Sequence, residues 1–237
     1  MTLYLRGRLG TAMLPLLAFV CLLAGTRCSA QREYIGRYDL SVGFSDINAP
    51  FVNNLNQVGF DTQIGVVHNR WLASGFDYSN QTGTTALTAN LLPKTIQMEL
   101  AAGLPAGYTL HLPTDITIQT FSAGTQLTWR HFAGTPIFIH PVISAFHIDA
   151  TPKPGDPVAA AVVKLLVPSG KKSDTAGGYG IGGGTDLHLT KHFSARMQLD
   201  VAWCHPVNDI LANGGWIYRF SVGPAFHFGH DINKHVK

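Results

Sequence analysis

Past its first thirty residues the 237-residue chain has no apolar run long enough to cross a bilayer as a helix, although 46% of the whole is hydrophobic. Such a helix needs roughly 20 consecutive apolar residues. Cysteine is scarce: Cys21 and Cys28 lie in the N-terminal segment and only Cys204 lies beyond it. An intramolecular disulfide is therefore excluded from the segment after residue 30, and stability must come from another source. Charged residues make up only 13% of the chain. The 14 acidic residues all follow Gln31, whereas Arg6, Arg8 and Arg27 precede it, which leaves 14 of the 17 basic residues and no net charge after that point. No basic surface for nucleic acid is expected. Eleven histidines are present, but neither an H-E-x-x-H motif nor a Cys/His spacing occurs, so no metal or other cofactor is expected. His68, His131, His192, His227 and His230 map to one end of the strands described below and read as scattered interfacial residues.

The N-terminal segment reads as an export leader. Arg6 and Arg8 form a positive region, Met13 to Ala24 is apolar, and Cys28-Ser29-Ala30 supplies small residues for cleavage before Gln31. Lipid attachment needs a small residue before the cysteine, and Arg27 and Val20 occupy those positions. The expected division is a signal peptide over 1–30, a barrel over 31–229 and a tail over 230–237.

What the chain has in abundance is alternation. Met197, Leu199, Val201 and Trp203 alternate with Arg196, Gln198, Asp200 and Ala202. Tyr218, Phe220, Val222, Phe226 and Phe228 alternate with Arg219, Ser221, Gly223, Ala225 and His227. Val58, Phe60, Ile64 and Val66 are set against Gly59, Asp61, Gln63 and Gly65, and Tyr179, Ile181 and Leu187 against Gly180, Gly182, Gly184 and Asp186. Period-two alternation marks strands with two unlike faces. Here one face is aliphatic and aromatic and the other small or charged, which suits a barrel turned outward to lipid. A soluble barrel of lipocalin type would invert the pattern, and Arg196, Gln198 and Asp200 cannot all face a dry apolar lumen.

Eight strands are expected, at 36–44, 58–66, 71–79, 116–129, 137–148, 178–189, 195–203 and 216–228. The fifth is the least clear, with Pro141 inside it and neither face cleanly apolar. Short connections at 67–70, 130–136 and 190–194 alternate with longer ones at 45–57, 80–115, 149–177 and 204–215. Within the long connections, Pro93 to Leu104 and Pro157 to Val167, the latter with Asp156 as its cap, read as short helices closing over the barrel mouth. The fold class is thus all-β: an eight-stranded antiparallel transmembrane barrel with two loop helices. Phe44, Tyr78, Trp203 and Trp216 should mark one membrane interface, and Trp71, Trp129, Phe193 and Phe228 the other.

The leader, the stretch Leu189 to Asp200 and the closing strand Trp216 to Phe228 resemble the small outer-membrane β-barrel proteins related to opacity porins and the membrane domain of OmpA-type proteins. The resemblance implies a non-enzymatic, monomeric outer-membrane protein with a structural or surface role and at most a narrow channel. It also implies outer-membrane lipid and the barrel assembly machinery as partners. Family barrels usually stop at the terminal aromatic, whereas nine residues follow Phe228 here.

Two motifs invite sharper chemistry. Gly178-Tyr-Gly-Ile-Gly-Gly183 matches G-x-G-x-x-G, but strand alternation through Thr185 to Leu189 stands where a dinucleotide fold needs a helix. Glycines in a narrow lumen explain it better. His192-Phe193-Ser194 resembles the His-x-Ser pair of outer-membrane lipid A deacylases, which gives an alternative hydrolase reading with His192 as base, Ser194 as nucleophile and Asp200 as orienting group. Ala195 stands where that family has Asn, and the pair lies in a short turn on the side away from outer-leaflet lipid. The polar residues expected to line the lumen are Asp61, Gln63, Asp186, Arg196, Asp200 and Arg219. If Trp203 faces Trp216 across the last hairpin, Asp200 lies opposite Arg219. In a shifted register, Arg219 would meet Asp39 instead.

Overall fold

A computed structural model describes residues 34–105, 107–131 and 134–235. The expected leader lies outside the described residues. Eight strands, β1 (Gly36–Ala49), β2 (Leu55–Val67), β3 (Leu72–Thr88), β4 (His111–Trp129), β5 (Ile137–Pro152), β6 (Lys172–His188), β7 (Phe193–Cys204) and β8 (Gly215–Asp231), pair antiparallel in sequence order. Pairing of β1 with β8 closes the barrel. The last hairpin has Trp203 opposite Trp216 and Asp200 opposite Arg219, the register that its alternation implied.

Every strand expected from the alternation forms, but several run further at the loop end. β1 continues to Ala49 and β2 starts at Leu55, so most of 45–57 is ladder, closed by a tight turn rather than a long loop. Asn53 and Asn54 supply its left-handed backbone, at φ 48° and 52°. β3 reaches Thr88, β4 begins at His111, β5 ends at Pro152 and β6 begins at Lys172.

The extra length follows from an inversion of the alternation partway up β1, β3, β4, β5 and β6, whereas β7 and β8 keep apolar residues outward as far as Trp203 and Trp216. On β4 the outward face changes from Phe121 to Gln119, Thr117 and Asp115, while the buried inward face changes from Ser122 and Thr120 to Ile118 and Ile116. On β5 the outward series passes from Ile143 to His147 and Asp149, and the inward one from Ser144 to Phe146 and Ile148. β1 passes outward from Phe44 to Asp46 and Asn48 as Ser45 gives way inward to Ile47 and Ala49. Below this level the barrel is polar inside and apolar outside, with Val42, Phe60, Ile64, Phe76, Ile181 and Phe220 exposed on its flank. Above it the barrel is apolar inside and, from β1 to β6, polar outside, where outward polar groups tie neighbouring segments together: Lys171 to Asp149 at 3.0 Å and Thr84 to Asp115 at 2.9 Å. The lower part has the face pattern of a lipid-embedded barrel and the upper part that of a water-exposed one. The fifth strand looked unclear because it carries apolar residues on opposite faces in its two halves.

Two short helices cover the loop end: α1 (Lys94–Gly103) and α2 (Pro157–Leu166). Asp156 accepts a hydrogen bond from the Ala159 N–H at 2.8 Å, and Pro157 occupies the first helical turn, so α2 starts with both of its usual signals. That backbone bond, with help from the Tyr108 hydroxyl, holds the Asp156 carboxyl below the usual carboxylate range. Leu100 of α1 packs with Ala159, Val162 and Val163 of α2 and with Leu112, Val207 and Ile210. No helix among the described residues is long and apolar enough to cross a membrane.

Candidate functional site in the barrel lumen

Arg196 on β7 and Arg219 on β8 point inward, and each is 4–6% exposed. A guanidinium carries five N–H donors in a planar fork. Arg196 spends them on Asp186, at 2.7 and 2.8 Å, on Asp39 at 2.6 Å and on Gln63 at 2.7 Å. Its guanidinium also lies 5.1 Å from the centre of the Phe138 ring. Arg219 donates to Asp200 at 3.0 and 2.8 Å, to Asp77 at 2.6 Å and to the Ser79 hydroxyl at 2.8 Å. Asp200 is gripped further by Gln198, at 3.0 Å, and by His140, whose Nε2 lies 2.8 Å from the carboxylate. Two fork-shaped cations thus join five strands for Arg196 and Arg219 together through their carboxylates: β1, β3, β6, β7 and β8.

All six residues expected in the lumen lie inside and are buried, but they do not form one cluster. Asp186, Gln63 and Arg196 make one knot, and Asp200 and Arg219 another. Asp61 joins neither: its Oδ1 is buried with no hydrogen-bond partner among the described residues. The reading from sequence missed Asp39, Asp77 and His140 as network members. Asp39 was considered only as a substitute partner for Arg219, whereas it serves Arg196, because Arg219 sits opposite Ile47 of β1 and Asp39 opposite His227.

The glycines of β6 make room for this network. A Cβ built on Gly182 would stand 1.9 Å from the Asp200 carboxylate and 2.0 Å from His140 Nε2, and one on Gly184 would stand 2.7 Å from the Phe138 ring. Of the glycines in the G-x-G-x-x-G pattern, Gly178 and Gly180 share this inward face, where a Cβ on Gly178 would stand 2.6 Å from the Phe146 ring, whereas Gly183 has the outward parity of Tyr179 and Ile181. The pattern does not open a helix.

His192 and Ser194 are not brought together, which corrects the hydrolase pairing. His192 precedes β7, and its Nδ1 donates to the His227 carbonyl at 2.9 Å while its ring packs edge-on against Tyr34. The β7–β8 register instead sets His227 beside Ser194, with Oγ and Nε2 2.8 Å apart. Asp39 lies 3.6 Å from the other ring nitrogen, beyond hydrogen-bond length. Asp200, the expected orienting group, is committed to Arg219 and His140. Ser194 has no exposed surface, so a substrate carbonyl has no path to its oxygen.

Above the ion pairs comes a layer of amides and hydroxyls. Gln81 donates to the Ser45 hydroxyl at 2.6 Å, and Gln57 to the Ile116 carbonyl at 2.8 Å. Over these the lumen turns apolar, and Ile47, Leu55, Ile116, Ile118, Phe146 and Ile217 form a buried cluster. Within this upper storey lies a cavity of about 90 Å³, roofed by the segment 205–214 and Val167. The voids flanking the charged layer are small: two of about 10 Å³ each, and one of about 20 Å³ bordered by Asp39, Asp186 and His227.

By sequence, no protein-family model and no curated protein matches the chain. By structure, it is similar to Neisserial surface protein A, with a TM-score of 0.53 at 14% identity over 83% of this chain and 100% of that one. It also aligns with a major outer membrane protein from Thermus thermophilus, with a TM-score of 0.49 at 10% identity over 81% of this chain and 99% of the other. The attachment invasion locus protein of Yersinia pestis aligns with a TM-score of 0.48 at 12% identity over 82% and 99%. The match to Neisserial surface protein A over 83% of this chain, with the closed ring of eight antiparallel strands, shows that the chain has the fold of the small outer-membrane β-barrel proteins.

Proposed function

We propose that the protein is a monomeric, non-enzymatic outer-membrane barrel with a surface or structural role, and that its lumen is closed to solutes. The observation that carries closure is the pair of guanidinium knots: Arg196 and Arg219 bridge carboxylates of opposing strands across the lumen, with voids of only about 10 to 20 Å³ beside them. A void of roughly 10–15 Å³ holds a single water, and eight strands enclose a space that side chains fill. Opening such a plug would strand buried charges, which is costly. The exposed apolar flank supports the membrane setting, because a water-exposed barrel of this size would bury those residues. In this reading lipid surrounds the lower storey, the assembly machinery inserts the chain after export, and the loop end carrying α1 and α2 faces outward from the cell.

Planar-bilayer recording of the purified monomer tests the closure. The expected result is no sustained porin-like conductance. Steady single-channel currents from the native protein, unchanged in an Arg196→Ala variant, would show that the knots do not plug the lumen.

A further inference from the structure

The upper storey is built differently from the plug, and nothing in a sealed structural barrel requires a hole there. Protein interiors pack like organic crystals and leave few voids larger than a water, and an apolar void is destabilising in proportion to its volume. The cavity of about 90 Å³ is walled by Leu55, Ile116, Ile118, Ile148, Leu211 and Ile217 and is apolar throughout its interior. Water has no partners on such a wall. Apolar cavities of this order, about 150 Å³ in an engineered case, stay dry and take up benzene or xenon.

The roof is a second, independent sign. Val207, whose side chain lines the cavity, has φ 49°, in the left-handed region. For a β-branched residue this is a real outlier, and such strain clusters at ligand clamps and switch segments. The roof segment is pinned in this strained form by polar ties to neighbouring elements. The Val207 N–H donates to the Asp174 carboxylate at 2.5 Å, the Ala212 N–H to the Leu91 carbonyl at 2.9 Å, and Lys172 pairs with Asp209. Lys172, Thr85 and Thr114 line the chamber through their apolar atoms, so its interior has no polar group to satisfy. An occupant therefore needs no headgroup contact inside.

We propose that the upper storey is a binding chamber for one uncharged hydrocarbon chain, closed over by the roof segment 205–214. Neither a charged nor a hydrogen-bonding ligand fits a wall that offers it no partner. The chain could be a free hydrocarbon or an acyl tail of the surrounding lipid, since the chemistry is the same. This goes beyond the role proposed above and does not depend on the plug. A conducting lumen would refute closure without touching the chamber, and an empty chamber would leave closure standing.

The test uses full-length barrel in nanodiscs of perdeuterated lipid, isoleucine methyl labelling and titration with n-hexane. Ile116, Ile118, Ile148 and Ile217 report on the chamber, and Ile64, Ile143 and Ile181 face outward and report partition into the bilayer. The expected result is saturating shifts and hexane-to-methyl Overhauser contacts at the four chamber isoleucines. Both should vanish in Ala150→Leu, which fills the wall, or in Thr85→Leu if the first variant does not fold. Chamber methyls that stay silent, that drift linearly with the outward ones, or that respond equally in both filled variants would overturn the proposal. In protonated lipid without hexane, Overhauser contacts from acyl chains to the same four methyls would support it and identify the bilayer as the source.

Discussion

Replacing Arg219 by alanine tests whether the lumen is held by buried charge. Its guanidinium makes four hydrogen bonds to Asp77, Ser79 and Asp200, and its side chain is 7% exposed. Removing one partner of a buried pair leaves an uncompensated charge and costs about 3–5 kcal/mol. Two carboxylates lose the same cation here, which argues for the upper end of that range. Asp200 keeps Gln198 and His140, so the greater part of the penalty falls on Asp77. Arg219→Lys should recover only part of the loss, because one ammonium lacks the planar fork that reaches Asp77 and Asp200 together. The assay is reversible denaturant unfolding from lipid vesicles, followed by tryptophan fluorescence and by the heat-modifiable gel shift. In an Asp200→Ala background, Arg219→Ala should cost measurably less, since the two residues share one contact. A loss below about 1 kcal/mol, the scale of an exposed ion pair, or strictly additive single and double variants, would refute the reasoning.

Three further outcomes are expected. Gly182→Ala should destabilise the barrel by about 1–3 kcal/mol through overpacking, because its Cβ would collide with Asp200 and His140, whereas Gly177→Ala, with open space at that position, should be near neutral in the same unfolding assay. Ser194 should not react with a fluorophosphonate probe in the folded barrel, since its side chain is fully buried; labelling that disappears in His227→Ala would revive a hydrolase. A cysteine at Asn90, in the segment before α1, should be labelled by an impermeant thiol reagent on intact cells and one at Asn69, in the β2–β3 turn, should not; the opposite pattern would invert the proposed orientation.

The strands were legible because alternation is a local signal, and membrane strands carry it with high contrast: Met197 to Trp203 against Arg196 to Ala202 leaves little choice of face or of register. The loop helices were legible for the same reason, with Asp156 and Pro157 marking a start that the backbone then uses. The strand extensions were not. They sit where the outward residues turn polar, and a search for outward apolar residues stops near Phe44 or Tyr78 although the ladder goes on. The partners of the two arginines depend on distances across the barrel, between residues such as Asp39 and Arg196 that are 157 positions apart, and no local pattern holds that information. His227 was visible as an inward residue of the last strand, but its approach to Ser194 depends on register alone.

The inversion also answers how a barrel whose one cysteine, Cys204, is free holds its height. A lipid-embedded sheet gains nothing from burying apolar side chains inside, because its outer face already meets hydrocarbon, so the lower storey is held by the closed ladder and the guanidinium knots. Above the lipid, water returns to the outer face, and hydrophobic burial becomes available again at about 1.5–3 kcal/mol for each fully buried aliphatic side chain. The inward isoleucines, Ile47, Ile116, Ile118, Ile148 and Ile217, begin at the level where the outward face turns to Asn, Gln, Asp and His. The outward-apolar and inward-apolar patterns are thus two halves of one strand rather than rival readings of it. The roof follows from the same step: an apolar lumen open to water at its end would forfeit the burial it has gained, and Leu100, Val162 and Val163 of the two helices with Val207 and Ile210 of the roof segment close it.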